Sequence, residues 1–234
     1  MTRKATILIR SATANPRTAI GTFHWLFLGL LASFIWSVHA VAVEQKNMVF
    51  FGDSITAGYG LDPDEAYPSL VQKKIDAAGL PWRVVNAGLS GDTTAGGLRR
   101  LDWILRQKVS LIVIELGAND GLRGIAPDVT QANLKKIIER IRSRVPEAII
   151  VLAGMQVPTN LGPEHSKNFA AIYPAVAKES GITLIPFLLE GVGGHPELNQ
   201  ADGIHPTTKG HAILAENVWV VVEPLLEPAT VRKP

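Results

Sequence analysis

The chain has 234 residues, with 23 basic and 21 acidic side chains, six histidines and no cysteine. The missing cysteines exclude disulfides and thiolate metal sites, and no basic stripe or aromatic–basic interleaving marks a nucleic-acid partner. Roughly 190 residues beyond the leader can bury a sufficient core without cross-links, so one domain is expected.

The N-terminal segment reads differently from the rest. Arg3, Lys4, Arg10 and Arg17 precede the first acidic residue, Glu44. Ile20 to Val38 is apolar apart from Thr22, His24 and two serines, and Val38-His39-Ala40 closes it on a small residue. A basic region, an apolar core and a small-residue stop are the marks of a secretory signal. Residues 1–42 are therefore expected to be removed near Ala40 or Ala42, delivering a 43–234 domain to the periplasm or beyond. A stretch of nineteen residues just suffices to span a bilayer, so an uncleaved anchor is the alternative. Without those four basic residues the totals become 19 basic against 21 acidic, so the mature domain stands near −2.

Short apolar runs then alternate with amphipathic stretches. Met48 to Phe51 predicts the first strand, followed by a helix over Tyr67 to Ala78. Val84-Val85 marks the second strand and Ala95 to Gln107 the next helix. Leu111 to Leu116 is the third strand. The clearest helix begins at Pro127-Asp128, places Val129, Leu134, Ile137, Ile138, Ile141 and Val145 on one side, and stops at Pro146. Ala148 to Ala153, a helix over Lys167 to Ser180, Ile182 to Ile185 and a last helix over Thr208 to Pro224 complete the series. Several strands are apolar at successive positions, which suits burial on both faces. Strand–helix alternation of this kind predicts a parallel sheet covered by helices on both sides.

In such sheets reactive groups gather beyond the carboxyl ends of the strands. Ser54 follows the first strand, Gly88 and Gly91 the second, and Asn119 the third. Asp202 and His205 follow the fifth. Ser54 stands on an abrupt turn beside Gly52, where it serves either as a nucleophile or as a simple helix cap. Neither a phosphate loop nor a Gly-x-Ser-x-Gly elbow is present. Asp202, three residues before His205, can fix the imidazole tautomer and orientation, or can merely form a turn. Asn119 can donate to a developing oxyanion or can be a turn former, while Gly91 and Ser54 can add backbone N–H groups. Asp92 is read as the cap of the following helix. His165, His195 and His211 are surface or structural residues, and no histidine pair has metal-ligand spacing. The loop from Phe187 to Gln200 places Leu188, Leu189, Val192 and Leu198 among glycines just before Asp202. It is read as a hinged wall over an acyl chain, or as a surface loop whose leucines pack on the sheet.

Gly52-Asp53-Ser54, Ser90-Gly91-Asp92-Thr93, Gly117-Ala118-Asn119-Asp120 and Asp202-Gly203-Ile204-His205-Pro206 together resemble the four signature blocks of SGNH (GDSL-type) hydrolases. The resemblance covers nearly all of the mature chain. It is nearest to the bacterial periplasmic arylesterase, acyl-CoA thioesterase I and lysophospholipase group, where Glu115-Leu116-Gly117 and the run Asn119 to Gly124 look particularly alike. It implies an α/β, three-layer α/β/α flavodoxin-like fold with a five-stranded parallel sheet of order 2-1-3-4-5. It also implies Ser54 as nucleophile, His205 as base and Asp202 as its orienter, with Ser54, Gly91 and Asn119 as oxyanion donors. Ile55 replaces the usual leucine. The activity implied is hydrolysis of carboxylic esters and thioesters through an acyl-enzyme, by a monomer with no cofactor and no metal. The substrate would be a small acyl ester or thioester, or a lysophospholipid. Two rivals stay open: a carbohydrate O-deacetylase, which an apolar acyl groove would exclude, and a non-catalytic lipid- or glycan-binding module.

Overall fold

Met48 to Phe51 carries no charge, and the strand built on it, β1 (Lys46–Gly52), is buried from Met48 onward. In this computed structural model, which describes residues 44–226, β1 pairs with β2 (Trp82–Asn86) on one side and β3 (Leu111–Glu115) on the other. The leader read in residues 1–42 lies outside the described residues. β4 (Ile149–Ala153) and β5 (Thr183–Ile185) extend the sheet to the order 2-1-3-4-5, with every pairing parallel. All five residues of β3 are buried, four apolar side chains followed by the acid Glu115, at the centre of a doubly covered sheet.

The connections are α1 (Ser54–Ala57), α2 (Tyr67–Ala77), α3 (Thr94–Ile104), α4 (Ala118–Leu122), α5 (Pro127–Arg144), α6 (Pro163–Ser180) and α7 (Thr208–Leu226). Right-handed crossovers place a helix on one face when the chain steps from β1 to β2, and on the other face for the later, opposite steps. Accordingly α2 packs against α7, while α5 packs against both α3 and α6. Leu134, Ile137, Ile138 and Ile141 of α5 are buried along the expected stripe.

Several details depart from expectation. Val129 is exposed and Thr130 is buried in its place. Val145 lies just beyond the helix as its cap. α6 begins at Pro163, four residues before the expected Lys167, with proline at its first position and Glu164 in its first turn. Asp92 does not cap α3. That role belongs to Thr93, whose side chain accepts the Gly96 N–H at 3.1 Å. Asp92 instead forms an ion pair with Arg100 at 2.7 Å, and Arg100 also donates to the carbonyls of Ala87 and Gly52. The guanidinium thus ties the ends of β1 and β2 together beneath the site.

Candidate active site

β1 ends at Gly52 and the chain turns at once into α1. Asp53 caps that helix, its Oδ1 accepting the Ile55 N–H at 3.0 Å, and Gly58 closes it in a left-handed conformation at φ 75°. Ser54 is therefore the first helical residue rather than the cap, and its side chain lines a cavity.

The partners of Ser54 come from the other end of the sequence. In the turn before α7, Asp202 Oδ1 accepts the N–H groups of Ile204 and His205, each at 3.0 Å. Its Oδ2 lies 2.7 Å from His205 Nδ1, and His205 Nε2 lies 2.9 Å from Ser54 Oγ. With Nδ1–H donating to the carboxylate, Nε2 is left to accept the serine hydroxyl. Partial burial works to raise the Asp202 carboxyl, but the bonds from the His205 ring and the two N–H groups outweigh it and hold it at about 2. Tyr59 packs its ring on the imidazole, with centroids 4.5 Å apart and planes at 37°. Its position in the glycine-rich turn after Ser54 gave no sign of that contact.

Gly91 stands at φ 79° beside the same cavity. Its N–H and that of Ser54 have no hydrogen bond among the described residues. Asn119 is not in an open turn: Gly117, at φ 119°, caps α4 and places Asn119 in its first turn. The Asn119 Nδ2 donates to Asp53 Oδ2 and to the Asp92 carbonyl, each at 3.0 Å.

Two carboxyl groups that sequence reasoning left without a role lie underneath. Asp53 and Glu115 are 1% and 0% exposed. Glu115 Oε2 accepts the Asp53 N–H at 3.1 Å and the Thr56 hydroxyl at 2.7 Å, while its Oε1 has no partner among the described residues. Burial pushes the Glu115 carboxyl well above its ordinary range, and the neighbouring Asp53 pushes the same way. A buried acid at the end of a strand that otherwise reads as pure core was the available signal.

The cavity has a volume of about 470 Å³. Ser54, Gly91, Asn119 and His205 line it, and Leu122, Met155, Val157, Pro158, Phe187 and Leu189 supply much of the rest. Of the four residues expected to wall an acyl chain, only Leu189 lines it. Leu188 and Val192 are fully buried in the core, and Leu198 packs against that core. The reason is bracing. The Leu188 N–H bonds to the Gly154 carbonyl at 2.9 Å, and Asn199 Nδ2 bonds to the carbonyls of Val192 and His195 at 2.7 and 2.8 Å. These bonds seat the loop on the sheet edge and leave Phe187, Leu189, Gly193 and Gly194 facing the cavity. His211 is structural, buried in the first turn of α7. Among the described residues no group of three His, Cys, Asp or Glu side chains is placed to hold a metal ion.

Residues 50–213 match the model of the GDSL-like Lipase/Acylhydrolase family. The chain is 45% identical over 202 residues to Esterase TesA of Pseudomonas aeruginosa, an alignment covering 86% of this chain and 98% of that one. It is 35% identical over 186 residues to thioesterase 1/protease 1/lysophospholipase L1 of Escherichia coli, covering 79% and 87% respectively. Among solved structures, the crystal structure of TesA superposes with a TM-score of 0.74 at 46% identity, covering 77% of this chain and all of that one. Sequence, fold and relatives agree: the chain belongs to the GDSL-like lipase/acylhydrolase family.

Proposed function

We propose that the protein hydrolyses carboxylic esters and thioesters through an acyl-enzyme on Ser54. The observation that carries this reading is the unbroken line of hydrogen bonds from Asp202 through His205 to Ser54, at 2.7 and 2.9 Å, opening on an apolar cavity. Ser54 Oγ attacks the acyl carbonyl as His205 Nε2 takes its proton, and Asp202 stabilises the imidazolium. The N–H groups of Ser54 and Gly91 receive the tetrahedral oxyanion, joined by the side-chain amide of Asn119 once one of its two resting acceptors, Asp53 Oδ2 or the Asp92 carbonyl, releases an N–H. Collapse expels the alcohol or thiol, which recovers the proton from His205. Water then attacks the acyl-enzyme with the same imidazole as base, releasing the acid and restoring Ser54.

The cavity's aliphatic and aromatic lining suits an acyl chain better than a sugar, which sets an acyl ester, thioester or lysophospholipid ahead of a carbohydrate acetate. Every group in the scheme comes from one chain, which supports a monomer as the active unit. The basic, apolar and small-residue order of residues 1–42 supports export to the periplasm, and the N-terminal sequence of protein recovered from that compartment tests it.

Ser54→Ala and His205→Ala are each expected to remove esterase and thioesterase turnover while leaving the melting temperature nearly unchanged. A fluorophosphonate should modify Ser54 and no other serine. Turnover surviving in either variant, or label on another residue, would remove the assignment.

A further inference from the structure

Ser54 and His205 are carried by turns from opposite ends of the chain, and their 2.9 Å bond is only as constant as the separation of those turns. The His205 turn is stiff in itself. The Gln200 N–H donates to the His205 carbonyl at 2.7 Å, the Gly203 N–H to the Gln200 carbonyl at 2.8 Å and the Thr207 N–H to the Leu198 carbonyl at 2.8 Å. Those bonds do not fix where the turn stands relative to the nucleophile. Gln200 supplies that link as well. Its side-chain Nε2 donates across 141 residues of sequence to the Tyr59 carbonyl at 2.7 Å, and to the Pro206 carbonyl at 3.1 Å. Among the described residues only two hydrogen bonds join residues 53–60 to residues 200–206: the Ser54–His205 bond itself and this one. Gly60, at φ 78°, leaves room for the amide, since a Cβ there would come within 2.5 Å of Gln200 Oε1.

We propose that Gln200 is a positioning residue for the reaction: its side-chain amide clasps the nucleophile turn to the turn of the base and sets the distance over which Ser54 passes its proton to His205. Gln200 does not itself line the cavity, so it acts through other groups. One of them is Tyr59, which is 51% exposed yet lies against the imidazole with ring centroids 4.5 Å apart. The bond to the Tyr59 carbonyl holds the backbone from which that ring reaches His205, so the same clasp limits the swing of the imidazole away from Ser54. An amide suits this task because its NH2 offers two protons to two carbonyls, whereas a carboxylate of the same shape offers none. The inference rests on the reading of Ser54 and His205 as nucleophile and base.

The test uses Gln200→Met and Gln200→Glu in the full chain, each alone and with His205→Ala. Methionine keeps the length of the side chain and the backbone N–H to His205, but donates nothing to Tyr59 or Pro206. Glutamate keeps the shape and sets an ionised oxygen against both carbonyls, so it should be the more damaging change. Gln200→Met is expected to lower kcat about tenfold with KM within about twofold, and Gln200→Glu to lower kcat further. Labelling of Ser54 by a small fluorophosphonate should slow in parallel, since it needs the base but not the acyl cavity. The melting temperature should stay nearly unchanged, because the backbone bonds of the turn remain. In the His205→Ala background neither change should reduce the slow residual turnover much further, because the group it positions is already gone. Wild-type kcat in both variants, a rise in KM alone, a lower melting temperature with kcat per titrated site unchanged, or an undiminished loss on His205→Ala would each overturn the inference while leaving the triad reading intact. If neither variant folds, Gln200 belongs to stability, which also overturns it. Full turnover in His205→Ala alone would withdraw the base and the inference with it.

Discussion

Leu188 and Leu189 are neighbours of the same chemistry, yet one is core and the other faces the cavity. The Leu188 N–H bonds to the Gly154 carbonyl at the end of β4, and its side chain is buried in the core while that of Leu189 lines the cavity. If Leu189 limits the acyl site, Leu189→Trp should shorten the chain that fits. Each methylene denied burial costs up to about 0.8 kcal/mol, or roughly fourfold in kcat/KM. Medium-chain esters should therefore lose most of their advantage over acetyl esters, which should be turned over at near the original rate. A chain-length series on both proteins checks this, and coincident profiles would take Leu189 out of specificity. Such residue-level facts were not legible in the sequence. A loop has no period, so nothing in it distinguishes the inward residue from the outward one. By contrast, Ser54, His205, Asp202, Gly91 and Asn119 were legible because each stands in a short block whose residue types suit one chemical task.

α1 is a four-residue helix, far too short to persist by its own propensity. It is fixed by its surroundings. Asp53 caps it, Asn86 Nδ2 holds the Thr56 carbonyl at 2.8 Å, and the Thr56 hydroxyl bonds to Glu115 and Tyr67 at 2.7 and 2.8 Å. Gly88, after β2, is pressed directly on this element: a Cβ there would come within 2.2 Å of the Ala57 backbone nitrogen. Gly88→Ala must push the β2 loop and α1 apart, at a cost of about 1–3 kcal/mol. The melting temperature should fall, and kcat per folded molecule should fall as well because the displaced element carries Ser54. Scanning calorimetry together with active-site titration separates the two effects, and a variant unchanged in both would show that the contact relaxes without consequence. The same element marks the limit of what pattern can reveal. The five strands and the five longer helices follow from apolar runs and 3.6-residue periodicity, while α1 and α4, at four and five residues, are too short to show a repeated period. Asp53 and Glu115 escaped for a related reason, since their roles exist only once β1 and β3 are paired.

The parallel sheet brings residues about 150 positions apart into one reaction centre, and α7 locks that closure through His211. This buried histidine accepts the Tyr67 N–H on Nδ1 at 3.0 Å, and its ring stacks on Tyr67 with centroids 6.0 Å apart. α7 is thereby joined to the start of α2, and the turn bearing Asp202 and His205 immediately precedes it. Burial drives the His211 pKa down to about 4, and the charge of His205 acts in the same direction. An unfolded histidine takes up its proton near ~6.5, so as the pH falls from there toward 4 the unfolded chain binds the extra proton and the folded state loses stability. The full effect amounts to about 3 kcal/mol, complete once the pH is below the folded value. Asp53 and Glu115 act oppositely. Their carboxyls are raised by burial, so the folded state binds the more protons there and acidification favours it. The wild-type stability curve is the difference between these terms, and His211→Gln isolates one of them, since glutamine can still accept the Tyr67 N–H without titrating. Melting temperatures of both proteins at pH 7.5, 6 and 4.5 should show the variant gaining on the wild type as the pH falls. Two curves that stay parallel across that range would mean that His211 carries no acid sensitivity and that the closure of α7 on α2 is set by packing alone.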